Sequence, residues 1–317
     1  MKKLNFIISA LVLCAAVFTG CAKKNADTPV NSDSPSSVIS SEPTEDEIRK
    51  QKYDEVVSKA SELCTLNQPQ ITDPSTWNDK GAEIMHSLSN QFGTSIKEQP
   101  GWKYWLCVNR AASTVTVYTP DENGEYTVPY MAFVCSGGTD TPTGYFETPV
   151  NYEWRLLAGP SYGQYSTRIW SAYLFHSVPY YSQHKDDIEY VEYNKLGSIA
   201  SLGCIRLQVV DVKWIYDNCP IGTPVFIYDD ENCPGPMGKP GTIYIDPDDT
   251  DLRGWDPTDP DTQNPWEDKY RTGTAIRSDA AWVEYYNAVS LGTWDNSISP
   301  TDLQGWSTDY KTEGTRG

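Results

Sequence analysis

The chain has 317 residues, with 43 acidic against 25 basic side chains and a formal net charge of -18, and its hydrophobic fraction is 38%. So acidic a balance excludes a nucleic-acid partner, because phosphate binding needs clustered Lys and Arg and no basic run occurs past the extreme N-terminus. The 3 histidines, His86, His176 and His184, are not spaced as a ligand pair, which argues against a zinc hydrolase and leaves no metal or cofactor to expect.

Length admits one large domain or two with tails. Met1-Lys2-Lys3, the apolar run from Leu4 to Phe18 and then Thr19-Gly20-Cys21 have the layout of a secretion signal over residues 1–20. The cysteine after a small residue resembles the lipobox of bacterial lipoproteins, with Phe18 where an aliphatic residue is usual. That resemblance implies acylation of Cys21 and a membrane anchor facing the cell wall. Residues 21–43 are rich in Ser, Pro, Asn and Asp, too polar to offset the entropy of ordering, and read as a flexible tether.

Residues 44–100 form a helical accessory region. Thr44 and Glu47 have capping-box spacing and open a helix to about Cys64, with Ile48, Tyr53, Val56, Val57 and Leu63 as its apolar stripe. A second amphipathic helix is expected over Asp79 to Phe92, through Ile84, Met85, Leu88 and Phe92; His86 on its flank carries no chemistry.

Residues 101–230 change to period two. Tyr104, Leu106 and Val108 alternate with Trp105, Cys107 and Asn109, and Val115 and Val117 continue the pattern. Asp121-Glu122-Asn123-Gly124 is a turn signal, so Tyr126 to Cys135 is the returning strand of a hairpin. A Gly and Pro loop follows over Ser136 to Gly144, then an extended segment from Tyr145. Trp154 to Gly163 reads as irregular, and Thr167 to His176 as one strand that delivers a histidine. Asp211 to Asn218 is a short helix, and Val225 to Tyr228 the closing strand. The fold expected is mostly β.

Residues 231–317 form an irregular acidic extension rich in Trp, Pro and Asp. From Asp229 onward there are 18 acidic residues against 7 basic ones, together with 5 tryptophans. That many tryptophans are costly to leave solvated, so the segment is expected to wrap against the preceding domain, with a helix near Ser278 to Val289. Calcium binding finds no EF-hand spacing to support it.

The chemistry concentrates at Ser201-Leu202-Gly203-Cys204-Ile205-Arg206-Leu207. Gly203 permits a sharp turn, and Arg206 supplies a field that favours thiolate. His176, ending its strand, is the candidate base for a Cys204 nucleophile. There is no Gly-x-Ser-x-Gly elbow for a serine hydrolase. Beyond the secretion signal, with Cys21 and Cys204 set aside, cysteines 64, 107, 135, 219 and 233 are left over, an odd number, and their pairing is not readable from spacing.

Thr141-Pro142-Thr143-Gly144-Tyr145-Phe146, Phe175-His176-Ser177, the Cys204 stretch and Gly222-Thr223-Pro224-Val225 occur in an order that resembles the YkuD-type L,D-transpeptidase catalytic domain, over roughly Trp102 to Asp230. The resemblance implies a β-sandwich-like fold and a thioester formed between Cys204 and a peptidoglycan stem peptide, at the carbonyl between the third residue and the following D-residue. An amine acceptor then opens the thioester. It implies that the backbone carbonyl of Ser177 orients the imidazole, and that main-chain N–H groups of Gly203 and Cys204 bind the oxyanion. Tyr145 and Ser201 are the candidate substrate contacts, and Arg206 is a field for the thiolate, a clamp for a substrate carboxylate, or a salt bridge beneath the loop. Residues 180–194, longer than the family's usual connection, are expected to form a flap beside the acceptor groove. Leu202 departs from the pattern, which usually has a second histidine there. An L,D-carboxypeptidase with water as acceptor and a non-catalytic wall-binding lipoprotein are the alternatives.

Overall fold

A computed structural model of the protein describes residues 51, 76–92 and 102–290. The secretion signal, Cys21, the tether, the helix expected from Thr44 to Cys64 and the chain from 291 onward lie outside the described residues. Helix α1 (Trp77–Phe92) matches the second amphipathic segment. The strands are β1 (Trp105–Asn109), β2 (Thr114–Thr119), β3 (Val128–Val134), β4 (Gly144–Glu147), β5 (Asn151–Leu156), β6 (Tyr162–Trp170), β7 (Tyr173–Ser177), β8 (Ile205–Leu207), β9 (Pro224–Tyr228) and β10 (Ile276–Arg277). Helices α2 (Tyr190–Tyr193), α3 (Val209–Asn218) and α4 (Asp279–Ser290) complete the described elements, with one 3-10 turn at Asp268–Tyr270. No described helix is long and apolar enough to cross a membrane.

The strands form two mixed sheets, ordered β10-β3-β2-β1-β9-β4 and β5-β6-β7-β8, so the fold is mostly β. Strand β1 explains the alternation in its sequence, because both of its faces are covered. Leu106 and Val108 enter the main core with Phe133, Phe175, Ile205 and Leu207, residues drawn from both sheets. Trp105 and Cys107, on the opposite pleat, pack with Tyr118, Phe226 and α1's Met85 and Leu88. Helix α3 packs under β6 and β7, and its Val209, Val212 and Ile215 join the main core.

Two readings of the chain need correction. Trp154 to Gly163 is not irregular: β5 and β6 pair there, with Trp154 opposite Gln164 and Leu156 opposite Tyr162. Nor is Thr167 to His176 one strand. Strand β6 ends at Trp170, the chain reverses, and β7 carries the histidine back antiparallel. The reversal rests on Ser171 at φ 47°, a left-handed conformation taken without the Gly or Asn that would announce it. The guanidinium of Arg168 donates to the Ser171 carbonyl and braces it.

The described chain past 230, as far as residue 290, packs as part of this structure. β10 pairs with β3 through Ile276 opposite Ala132, Trp266 and Ile245 enter the main core, and Trp282 is fully buried. Residues 180–194 do not form a free flap. Tyr180, Ile188 and Tyr193 point inward from this acidic stretch and are buried in the main core.

Candidate active site

Parallel strands β7 and β8 set His176 opposite Arg206. Partners in such a pair project on one face and every second residue returns to it. Cys204, just before β8, therefore shares that face with Leu174 and His176, and it packs on the small cluster of Val150, Tyr152 and Leu174.

His176 is buried, and its Nδ1 lies 2.5 Å from the Ser177 carbonyl oxygen. A carbonyl only accepts, so Nδ1 carries the proton and Nε2 keeps its lone pair. Burial pushes the imidazole pKa down to about 3, the Arg206 charge pushes the same way, and the Ser177 bond opposes them. The ring is thus a neutral base at physiological pH. Ser177 is itself fixed: its hydroxyl donates to the Val178 carbonyl at 2.8 Å and accepts the Gln164 N–H at 2.9 Å.

Cys204 is half-buried, with Sγ 3.6 Å from the Ala172 carbonyl oxygen. Burial pushes its thiol pKa up, while the Leu174 N–H and the charges of Arg206 and Arg168 pull it down without prevailing. The expected field from Arg206 is present, but the resting pair is a thiol and a neutral imidazole rather than a preformed ion pair.

The turn before Cys204 is stitched from both sides. The Ser201 hydroxyl donates to the Cys204 carbonyl at 2.6 Å and accepts the Gly203 N–H at 3.0 Å. Thr141 Oγ1 donates to the Gly203 carbonyl at 2.7 Å and accepts the Gly138 N–H at 2.8 Å. Gly203 has φ +154°, and a Cβ there would sit 2.4 Å from the Tyr173 ring, so only glycine fits.

These bonds revise several expected roles. Ser201 holds the turn, its one donor proton being used there. The Gly203 N–H is engaged by Ser201, so of the two oxyanion donors expected only the Cys204 N–H lacks an acceptor among the described residues. Tyr145 packs with Trp105 and Phe226 on the α1 side of its sheet, its hydroxyl donating to Glu147. The next residue, Phe146, faces the other way and meets Trp170, as the pleat requires. Arg206 takes the role of an ion pair beneath the loop: Nη1 lies 2.6 Å from Glu192 Oε2 and 3.0 Å from the Ala200 carbonyl. Leu202 is 74% exposed beside Cys204.

Three contributors were not singled out from the sequence. Gly163 makes room for the imidazole, Arg168 adds a second positive charge near the sulfur, and Trp170 stacks on Tyr173 at the turn that touches Gly203. A glycine inside a strand pattern was the one available signal. His86 and His184 are exposed. Among the described residues, no group of three His, Cys, Asp or Glu side chains could hold a metal ion, and the five described cysteines are unbridged.

A family model described as the YkuD L,D-transpeptidase catalytic domain matches residues 103–227. The chain is 40% identical over 177 residues to the Bacillus subtilis (strain 168) protein named "Putative L,D-transpeptidase YciB", covering 53% of this chain and 88% of that one. Among solved structures, a fused Zn-dependent amidase/peptidase/peptidoglycan-binding domain-containing protein from Clostridium acetobutylicum ATCC 824 matches at 25% identity and TM-score 0.31, over 46% of this chain and 62% of that one. An L,D-transpeptidase from Mycobacterium smegmatis matches at 19% identity and TM-score 0.31, over 40% and 59%. The chain therefore spans about three fifths of the length of these solved structures.

Proposed function

The chain belongs to the YkuD family of L,D-transpeptidase catalytic domains, and from that premise we propose that it transfers a peptidoglycan stem peptide through a thioester on Cys204. His176 Nε2 takes the thiol proton as sulfur attacks the carbonyl that precedes the D-residue. The Cys204 N–H receives the developing oxyanion. The proton passes from the imidazole to the departing amine, leaving the thioester. An acceptor amine then attacks, gives its proton to Nε2, and expels the Cys204 sulfur, which recovers a proton from the imidazole. Neither step needs a cofactor.

The observation that carries this reading is the Ser177 carbonyl on Nδ1, which fixes the one tautomer able to act as a base from Nε2. Incubating the protein with disaccharide-tetrapeptide and weighing the products tests it. Cross-linked dimer supports transfer to an amine; tripeptide alone assigns water as acceptor and makes the enzyme a carboxypeptidase; intact substrate with no adduct on Cys204 leaves a wall binder. A carbapenem, whose strained carbonyl asks only for a thiolate and an oxyanion donor, should add its mass to the wild type and not to Cys204→Ala.

The proposal extends to place. Thr19-Gly20-Cys21 supports an acylated Cys21 that holds the enzyme on the membrane, facing the wall. Cys21→Ala should release the protein from the membrane fraction, and a wild-type chain with an unmodified N-terminus elsewhere would overturn the anchor.

A further inference from the structure

Beside the nucleophile turn lies a strip of aromatic rings that the chemistry at Cys204 does not use. It begins at Tyr173, whose ring occupies the place a Gly203 side chain would take. Trp170 follows, its ring plane within 6° of Tyr173 and the centroids 6.3 Å apart. Phe146 lies 6.1 Å from Trp170, reaching across from the edge strand of the other sheet. Trp170 is 54% exposed, although a tryptophan side chain gains more than most from burial. The β6–β7 reversal that presents it is held by Arg168 and by the left-handed Ser171, so the ring is displayed on a fixed support.

We propose that this strip is a saccharide platform, on which the glycan part of the donor substrate stacks while its peptide reaches Cys204. The inference rests on the proposed transfer reaction. Two arguments select a sugar as the occupant. The first is chemical: Trp170, parallel to Tyr173, keeps about half of its surface open to solvent, and an aromatic face is the negative pole of the ring quadrupole. The C–H groups on one side of a pyranose form a flat, weakly positive surface that complements it. The second is distance. Three residues of extended peptide span at most about 10–11 Å, which separates the scissile carbonyl from the sugar at the head of the stem. Tyr173 sits at the Gly203 turn, and centroid steps of 6.3 Å to Trp170 and 6.1 Å on to Phe146 give the strip a span of the same order.

The test compares disaccharide-tetrapeptide with free tetrapeptide as donor, using the full chain. The wild type should prefer the disaccharide form by about tenfold in kcat/KM, the size of effect one good stacking contact supplies. In Trp170→Ala that preference should collapse toward one, and Trp170→Tyr, which keeps a ring, should restore most of it. A preference left intact in Trp170→Ala, or an equal loss on both donors, overturns the platform. A second measurement does not depend on turnover: quenching of tryptophan fluorescence by the peptide-free disaccharide, read on Cys204→Ala. Saturable quenching that vanishes in Cys204→Ala/Trp170→Ala supports the platform even if no transfer is found with either donor. Absence of quenching at millimolar sugar in the Cys204→Ala protein overturns it while leaving the transfer reaction standing.

Discussion

Gly163 stands so close to His176 that a Cβ built on it would lie 2.8 Å from the histidine's own Cβ and 3.0 Å from Nδ1. The nitrogen crowded in this way is the one bonded to the Ser177 carbonyl. A methyl group at 163 therefore has to push the imidazole off that bond. We expect Gly163→Ala to lower the rate of Cys204 acylation by about 100-fold, the usual consequence of misplacing a reacting group by about an ångström. Overpacking should cost about 1–3 kcal/mol of stability. Acylation at the wild-type rate in a folded Gly163→Ala protein would mean that the ring does not depend on this contact.

The protonation states of the pair predict an unusual pH profile. Burial holds the His176 pKa near 3, below the ordinary 6.5, so the base should remain competent well below pH 6.5. The Cys204 thiol is pushed the other way by burial, so alkylation of the free enzyme by iodoacetamide should keep rising beyond pH 8.5 with no plateau near neutrality. His176→Ala should cost about 100-fold or more in acylation by substrate. The same variant should still alkylate at high pH, where no base is needed, and His184→Ala should keep most activity. Stability follows a separate rule: below pH 6.5 the unfolded chain takes a proton on His176 that the folded chain refuses. Burying His176 should therefore cost stability progressively as pH falls from about 6.5 toward 3.

How much of this was legible in the sequence differs from element to element. The strands around Leu106, Val115 and Val225 were readable because alternation and turn residues agreed, and the Cys204 stretch stood out because a glycine and an arginine flank it. Where a rule of turn chemistry is broken, the reading failed. The β6–β7 reversal places a serine at positive φ, so nothing in Trp170-Ser171-Ala172-Tyr173 announced a hairpin, and the platform it displays stayed invisible. Which of Tyr145 and Phe146 meets Trp170 was not readable, because a strand of four residues after a Gly and Pro loop carries too little alternation to fix its face. Ser201 looked like a substrate contact because a hydroxyl's partners are set by tertiary folding rather than by its neighbours in sequence.

Ser201 gives a further prediction. Its hydroxyl bridges the Gly203 N–H and the Cys204 carbonyl, closing the turn that presents Cys204. Ser201→Ala should lower kcat by about tenfold through a looser turn, with KM little changed, since its one donor proton is already used within the turn. A selective rise in KM would restore Ser201 to the substrate groove.

The last prediction concerns the chain beyond 230. Helix α3 opens without a side-chain cap of its own at Gln208. Its orphan N–H groups are met from a distance: Val209 donates to Asp256 Oδ2 at 3.0 Å and Val210 to Thr258 Oγ1 at 3.1 Å. Asp256 in turn accepts the Thr258 N–H at 2.8 Å and hydroxyl at 2.7 Å. The segment that looked like an acidic appendage thus caps the helix lying under the histidine strand. Asp256→Ala removes the cap and leaves buried donors unmet, and should destabilise the protein by about 2–4 kcal/mol. Burial raises the Asp256 pKa to about 7 against its hydrogen bonds, and burial does the same to Asp211, against the nearby Arg277 charge. A folded-state pKa above the unfolded value means that the folded chain holds more protons between about pH 4 and 7, so these two groups make stability fall as pH rises through that window. Asp256→Asn cannot ionise: it should be less stable than wild type at pH 5, but should lose less in Tm between pH 5 and 8. Asp211→Asn should flatten the remaining slope. Asn variants whose Tm runs parallel to the wild type across this window would show that both carboxyls are charged in the fold.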